Sequence, residues 1–327
     1  MSLTVENLSK KYGNKTALES LSFQMENPGV FALLGTNGTG KTTAIRMMLN
    51  MLSRDSGEVL WEGKPLNTNF CNIGYLAEER GLYPKYSLLE QLIYFAELRG
   101  VKKEEAKKRI RHWAKRLDVE EYLYAMKSPE SAAVKKRSLF GAARGKSVKP
   151  KKADQLSKGN QQKIQFMTAL LSDPQLLILD EPMSGLDPVN TDMFRDIIHE
   201  EMNNGKYLIM SSHQMATVEE FCTDIVILNR SKTILQGNLN EIKKGYGRVN
   251  LSIKTEQDIQ ALIVASGALL ISEKEYEYEI KVTGENQANE LLGMIISHQI
   301  PIIRFDLREP SLHEIFVTKV GEANETE

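Results

Sequence analysis

The sequence predicts an α/β fold: a parallel-sheet core carrying a helical subdomain, followed by a small α+β domain. Three observations predict it. Apolar runs at 30–34, 176–179, 207–210 and 225–228 are continuous, as in strands buried on both faces of a mostly parallel sheet. Helical periodicity fills much of 82–172. Beyond Gly237 the apolar residues alternate instead, which marks half-buried strands.

Taken in order, 3–8 reads as a strand and Tyr12-Gly13-Asn14 as a turn. Pro28-Gly29 punctuates before the strand 30–34, and a glycine-rich loop, 35–40, follows. The next segment is a helix with Ile45, Met48, Leu49 and Leu52 on one face; Met47, Met48 and Met51 read as core packing. From Ser87, two amphipathic stripes appear: Leu88, Leu92, Phe95, then Ile110, Ala114, Leu117. Residues 127–152 stand apart, with nine Lys or Arg in 26 residues against one acid, Glu130. They read as a flexible basic loop, either a solvated insertion or a contact with an anionic membrane surface or a partner.

In the last part, Val249, Leu251 and Ile253 alternate, as do Tyr276, Tyr278, Ile280 and Val282, and then Ile303, Phe305 and Leu307. Helical stretches lie near 256–265 and 287–297. With 268–272 as a further strand, the order is β-α-β-β-α-β, the ferredoxin-like pattern. A last helix starts at Ser311, with Glu314 completing a capping box. The tail from 321 is expected to fray.

The chain has 327 residues, 41% apolar and 26% charged, a composition that excludes a wholly disordered or collagen-like protein. A net charge of −1 gives no reason to expect a nucleic-acid partner. No apolar run approaches the roughly 20 residues that a spanning helix needs, and no signal peptide is read at the start. Cys71 and Cys222 are too few for a disulfide or cysteine-rich zinc framework, which fits a reducing compartment. His112, His199, His298 and His313 have no motif around them and read as surface residues.

Two motifs carry chemistry. Gly35-Thr36-Asn37-Gly38-Thr39-Gly40-Lys41-Thr42 fits the phosphate-loop pattern G-x-x-x-x-G-K-[ST] without a mismatch, between an apolar strand and an amphipathic helix. Its glycines let backbone N–H groups turn inward around phosphates, and the helix N-terminus adds partial positive charge. Lys41 would hold the β- and γ-phosphates and Thr42 would ligate Mg²⁺. The second motif is the apolar run 176–179 ending in Asp180-Glu181. Adjacent residues at a strand end point to different sides, so Asp180 can hold Mg²⁺ while Glu181 orients and deprotonates a water.

These motifs, with three more, resemble the ATP-binding cassette (ABC) ATPases, specifically the ATP-binding subunit of a bacterial export-type transporter. The match runs over about residues 3–240, in the family order. Leu156-Ser157-Lys158-Gly159-Asn160-Gln161-Gln162 looks like the family signature, Ser184-Gly185-Leu186-Asp187 like the loop after the second carboxylate, and Ser211-Ser212-His213 like the switch histidine. Tyr12 stands where the family has an aromatic that stacks on adenine. The resemblance implies a P-loop, ABC-type nucleotide-binding domain over 1–237, with a helical subdomain at about 82–172, and a small C-terminal accessory domain over 238–327.

It also implies a site. Glu181, His213 and Glu78 would be catalytic, and Thr42 and Asp180 would hold the metal. Tyr12, Gly35, Thr36, Asn37, Gly38, Thr39, Gly40, Lys41, Thr42, Thr43, Ser157, Lys158, Gly159, Asn160 and Asp187 would contact ATP. In the family the signature faces ATP bound by a second ATP-binding subunit, so two chains close over two nucleotides and a membrane permease follows the movement. The chain would then work at the cytoplasmic face of the membrane with ATP and Mg²⁺. A soluble ABC ATPase acting on nucleic acid or ribosomes, or a regulatory ATP-binding module, would share the core motifs. One phosphate loop without sustained heptads counts against the first, and intact Lys41, Asp180, Glu181 and His213 against the second.

Some residues depart from the pattern. Lys158 replaces a usual glycine and puts a charge near the expected phosphate. Asn160 stands where glutamine is usual, and Glu78 takes the place of a glutamine. An ionised carboxylate cannot donate a hydrogen bond, which puts the role of Glu78 toward metal and water in question. Asp187 also reads as a simple helix cap before Pro188. The C-terminal part resembles the accessory domain of some bacterial export ATPases, where dimer support, regulation and plain packing are all open.

Overall fold

The computed structural model describes residues 2–67, 69, 71–79, 81–127, 147–148 and 150–325. The basic stretch is mostly outside them, and the two readings of it lie outside the described residues. The chain divides into two compact units: 1–213 with 230–233, and 214–229 with 234–327.

The first unit opens with an antiparallel sheet. β1 (Leu3–Tyr12) and β2 (Lys15–Met25) form a hairpin, extending the expected strand 3–8 to the turn. The core strand β3 (Gly29–Leu34) follows. β4 (Ser56–Trp61) pairs with the other side of β1, and β5 (Lys64–Pro65) with β4. Four parallel strands build the core, in the order β3, β10 (Tyr207–Ser212), β9 (Leu176–Asp180), β6 (Ile73–Leu76). A short pair, β7 (Met126–Lys127) with β8 (Ser147–Val148), flanks the basic stretch. Every residue of β3, β9 and β10 is buried, which is why their runs are continuously apolar. Aromatic contacts join the sheets: Phe23 of β2 stacks on Phe31 of β3 at 4.0 Å, and Trp61 of β4 meets Tyr207 of β10 edge-on at 5.1 Å. Such pairs add about 0.5–1.5 kcal/mol each beyond the area they bury.

The phosphate-loop helix is shorter than its periodicity predicts. It covers Lys41–Met48 and is closed by Asn50, which takes the left-handed conformation at φ 59°. Met51 then donates its N–H back to the Arg46 carbonyl at 2.8 Å, the usual way of closing a helix C-terminus. Leu49 is only the cap and Leu52 lies beyond it. Met51 is 63% exposed, so its reading as core is corrected, while Met47 and Met48 are buried.

The helical part holds Leu88–Leu98, N-capped by Ser87, then Lys103–Arg116 and Glu120–Leu123. In Lys103–Arg116, Glu104 and Glu105 sit in the first turn and Lys115 and Arg116 in the last, matching the helix dipole at both ends. Both expected stripes face inward: Leu88, Leu92, Ile110, Ala114 and Leu117 are buried. The helix Lys158–Leu170 follows, capped by Ser157, and Pro188–Asn203 lies between β9 and β10.

The second unit begins with the short helix Met215–Glu219 and β11 (Asp224–Asn229). β12 (Lys232–Asn238) leads through the helix Leu239–Tyr246 into a ferredoxin-like fold. Its strands are β13 (Asn250–Thr255), β14 (Leu269–Lys274), β15 (Glu277–Lys281) and β16 (Ile302–Arg308). The sheet order is β14-β15-β13-β16, every neighbour antiparallel, with the helices Gln260–Ala265 and Glu285–Ser297 packed on it. Leu251, Ile253, Tyr278 and Ile280 of the sheet meet Ile263, Leu291 and Ile295 of the helices.

Three expectations change here. Tyr276 lies in the β14–β15 turn at φ 60° and is exposed, not on the strand face. Ile303 is exposed because β16 carries a bulge: Ile302 pairs with Thr255 but Arg304 with Lys254, so Ile303 is the extra residue. The tail stays helical through Glu325, within Leu312–Glu325, rather than fraying from 321. The Ser311–Glu314 capping box starts that helix and Lys319 bonds Glu322 at 2.7 Å along it. No helix among the described residues is long and apolar enough to cross a membrane.

Candidate nucleotide site

The site lies at the carboxyl ends of the parallel strands, where the loops after β3, β9 and β10 converge. Gly40 ends the phosphate loop at φ 109°, and a Cβ there would fall 2.5 Å from the Ala17 carbonyl oxygen. Only glycine fits both constraints. Gly40→Ala is therefore expected to lower stability by about 1–3 kcal/mol and to weaken nucleotide binding, as read by thermal melts with and without ATP. Lys41 is buried and donates to the carbonyls of Gly35 at 2.8 Å and Thr36 at 3.2 Å. Thr39 ties the loop internally through the Thr36 carbonyl at 2.9 Å.

The parallel register brings the carboxylates to this loop. Asp180, 1% exposed, accepts at Oδ1 from the hydroxyls of Ser211 at 2.5 Å and Thr42 at 3.3 Å. Burial pushes its carboxyl above the usual range, opposed by those two hydrogen bonds. Its Oδ2 is buried and has no hydrogen-bond partner among the described residues. An orphaned carboxylate oxygen next to a threonine hydroxyl suits a hard divalent cation, which favours oxygen ligands. Asp180 and Thr42 thus fit Mg²⁺, which when bound would offset charge on the phosphates.

Glu181 departs from strand geometry at φ 49° and turns its carboxylate back over the loop. Oε1 lies 3.3 Å from Lys41 Nζ, and Oε2 lies 2.8 Å from His213 Nδ1. When Glu181 is ionised it can only accept, and Nδ1 is then the nitrogen that donates in that second contact. The backbone N–H of Glu181 donates to the Ser211 hydroxyl at 2.9 Å. Ser211 therefore accepts from one residue of the pair and donates to the other, and the sequence reading gave it no role of its own. Glu181 is buried while the His213 ring is 42% exposed, so the pair spans from core to surface.

A groove of about 520 Å³ opens here, lined by Tyr12, Asn37, Gly38, Gly40, Lys41, Thr42, Thr43, Glu78 and Glu181. Lys15, Thr16, Ala17 and Ser231 complete it, and the motifs had not indicated them. Tyr12 is exposed at one end, with Lys10 Nζ 5.5 Å from its ring centroid. Lys10 is fixed in turn by Asp55 at 2.8 Å. The neighbour of Glu78, Glu79, pairs with Arg46 of the phosphate-loop helix at 2.9 Å and accepts at its carbonyl from Gln165 at 3.1 Å. These two contacts hold the Glu78 loop against the phosphate-loop and signature helices.

The signature residues do not line this groove. Ser157 N-caps the helix Lys158–Leu170, accepting from the Asn160 N–H at 3.3 Å. Lys158 is exposed, Gly159 and Asn160 are partly so, and the Asn160 amide donates to the Tyr122 hydroxyl at 3.0 Å. Asp187 is the N-cap of Pro188–Asn203, accepting from Asn190 N–H at 3.0 Å, so the helix-cap reading of it holds whatever else it contacts.

A phosphate loop, a strand-end Asp-Glu pair and an imidazole on the glutamate define a nucleoside-triphosphatase of the P-loop class. Comparison with known proteins narrows this. Residues 18–184 match the family described as ABC transporter, and 237–320 match the C-terminal domain of DrrA1-3-like ATP-binding proteins. The chain is 39% identical over 320 residues to the ABC transporter ATP-binding protein YhaQ of Bacillus subtilis, covering 98% of each. It is 28% identical over 331 residues to the linearmycin resistance ATP-binding protein LnrL of the same organism, again 98% of each. A solved ATP-binding subunit of an ABC transporter superposes with a TM-score of 0.63 at 26% identity, over 75% of this chain and 93% of that one. This chain belongs to the ABC transporter ATP-binding proteins, with a DrrA-like C-terminal domain. It is an ATPase that serves as the ATP-binding motor of a transporter.

Proposed function

We propose that this chain hydrolyses Mg·ATP to power a separate membrane exporter, as one of two ATP-binding subunits that close over two nucleotides. The observation that carries the proposal is Glu181, buried at the phosphate loop between Lys41 and His213. In this reading Glu181 takes the proton of the attacking water, His213 orients Glu181 and meets the γ-phosphate, and Lys41 holds the phosphates. Thr42 and Asp180 hold Mg²⁺, and Tyr12 stacks on adenine.

Dimer closure is supported by the signature helix. Ser157, Lys158, Gly159 and Asn160 form a helix N-terminus away from the chain's own groove, a place suited to the phosphate of a second copy or a close relative. Asp187 would join that contact. A membrane permease partner is supported by the exposed Tyr83, Tyr86, Tyr94 and Leu98, with Tyr83 edge-on to Tyr86 at 5.9 Å and both Tyr83 and Tyr94 in contact with Phe95. Exposed aromatics in one patch mark interaction surfaces. Export is supported by the resistance function in the name of LnrL and by the DrrA-like C-terminal match. The chain then sits at the cytoplasmic face of the membrane through its partner, with the accessory domain beginning near 238. Purification from detergent-solubilised membranes should bring down an integral membrane protein with it. Recovery of the chain with no membrane protein would count against the exporter reading.

Glu78 is proposed to contact the permease more than it serves chemistry, since it lines the groove with a side chain unable to donate to water. Glu78→Gln is expected to leave ATPase activity of the isolated chain within about threefold, far less than the 10²–10⁴ of a lost general base. A collapse of basal hydrolysis in that variant would return Glu78 to the catalytic set.

A further inference from the structure

The chain passes from the first unit to the second between His213 and Gln214. His213 is held at Glu181 in the first unit, and the helix Met215–Glu219 that follows it belongs to the second. Met215 and Val218 of this helix are buried. Its last residue, Glu219, makes two charged contacts, both within the second unit. Oε2 accepts from the Leu312 backbone N–H at 3.0 Å, and Oε1 pairs with Lys243 Nζ at 2.5 Å. Leu312 is the first residue of Leu312–Glu325, so its N–H is one that the helix itself cannot satisfy. A carboxylate there also meets the positive end of the helix dipole. Lys243 lies in the last turn of Leu239–Tyr246. One side chain thus ties the segment after His213 to the helix that leads into the ferredoxin-like sheet and to the helix that leaves it.

We infer that Glu219 is a positioning residue for ATP hydrolysis, through which the C-terminal domain sets how His213 meets Glu181. The inference rests on the proposed role of His213. On one side of the histidine, β10 is fully buried and hydrogen-bonded to β3 and β9 along its length. Close-packed strands of that kind do not deform continuously. On the other side, Glu219 fastens Met215–Glu219 to two helices of the domain. The segment that continues directly from His213 is thereby held by two helices of the C-terminal domain. The ring is partly exposed, while Glu181 is buried. The accessory domain gains a means of raising or lowering turnover without touching nucleotide.

The test uses the full chain and reads kcat and KM for Mg·ATP in Glu219→Ala, Glu219→Gln and Lys243→Ala, each alone and with His213→Ala. Glu219→Ala is expected to lower kcat about three- to tenfold, inside the roughly two- to thirtyfold span of residues that modulate coupling between sites. KM should stay within about twofold, because neither Glu219 nor Lys243 lines the nucleotide groove. Glu219→Gln keeps an acceptor for the Leu312 N–H and should recover part of the loss. On the His213→Ala background, measured by single turnover, Glu219→Ala should cost nothing further, since coupled residues are not additive. A wild-type kcat in Glu219→Ala overturns the inference, as does an equal loss in both backgrounds. Should Glu219→Ala fail to fold, Glu219→Gln and Lys243→Ala decide by the same two criteria. Wild-type turnover in His213→Ala alone would instead overturn the reading of the site, which separates the two failures.

Discussion

Glu181→Gln is expected to bind Mg·ATP with near wild-type affinity and to lose about 10²–10⁴ in turnover, the usual cost of a missing general base. The substitution keeps the side-chain volume of a buried residue, so no cavity is made. The φ of 49° at this position is as accessible to glutamine as to glutamate, and the Glu181 N–H keeps its bond to Ser211. What changes is charge. The Lys41 ammonium loses an anion at 3.3 Å, which leaves it freer for phosphate, and the His213 N–H keeps an oxygen to donate to. With binding intact and cleavage stopped, ATP should hold two chains together, seen as a shift from monomer to dimer in size-exclusion chromatography with Mg·ATP. Wild-type turnover would remove Glu181 from the catalytic role. Lost turnover without dimer would remove the closure from the proposed cycle.

What could be read from the sequence, and what could not, follows from how local each feature is. The phosphate loop is eight contiguous residues whose spacing alone encodes the cradle, so Lys41 and Thr42 were legible without a fold. The core strands were legible because burial on both faces leaves no polar position in the run, as in β3 and β9. Ser211 shows the opposite case. Its two hydrogen bonds, to Asp180 and Glu181, exist because β10 and β9 run parallel with Ser211 beside Asp180. That register is not written in either strand. The serine two places before a switch-type histidine was the available signal. Lys15 and Ser231 line the nucleotide groove for a similar reason: Ser231 donates its hydroxyl to the Thr16 carbonyl, 215 positions away in sequence. Met51 and Ile303 were misread where one backbone event reset the pattern: a left-handed Asn50 in the first case, a bulge against β13 in the second. Periodicity counts residues and is blind to a single residue that changes the phase.

Lys41→Ala should separate binding from stability more sharply than any other change in the site. In the folded chain, Lys41 Nζ donates to the Gly35 and Thr36 carbonyls and forms an ion pair with Glu181 Oε1 at 3.3 Å. Lys41 and Glu181 are both buried, and removing one partner of a buried ion pair typically costs about 3–5 kcal/mol because the other charge is left uncompensated. The nucleotide-free protein should therefore melt at a lower temperature. Binding should weaken too, because a charge-assisted contact to phosphate is lost. At about 1.5–3 kcal/mol for a hydrogen bond to a charged group, ATP affinity should fall on the order of tenfold to a hundredfold. The double variant Lys41→Ala with Glu181→Gln distinguishes the two effects. Neutralising Glu181 relieves the stranded carboxylate, so melting of the nucleotide-free protein should recover much of the loss. Affinity for ATP should not recover, since the missing ammonium acted on phosphate and Glu181 did not. Differential scanning fluorimetry without nucleotide and calorimetric titration with ATP read the two quantities independently. If affinity returned along with stability, Lys41 would be a structural counter-ion for Glu181, and the hold on the phosphates would rest on the backbone N–H groups of the loop alone.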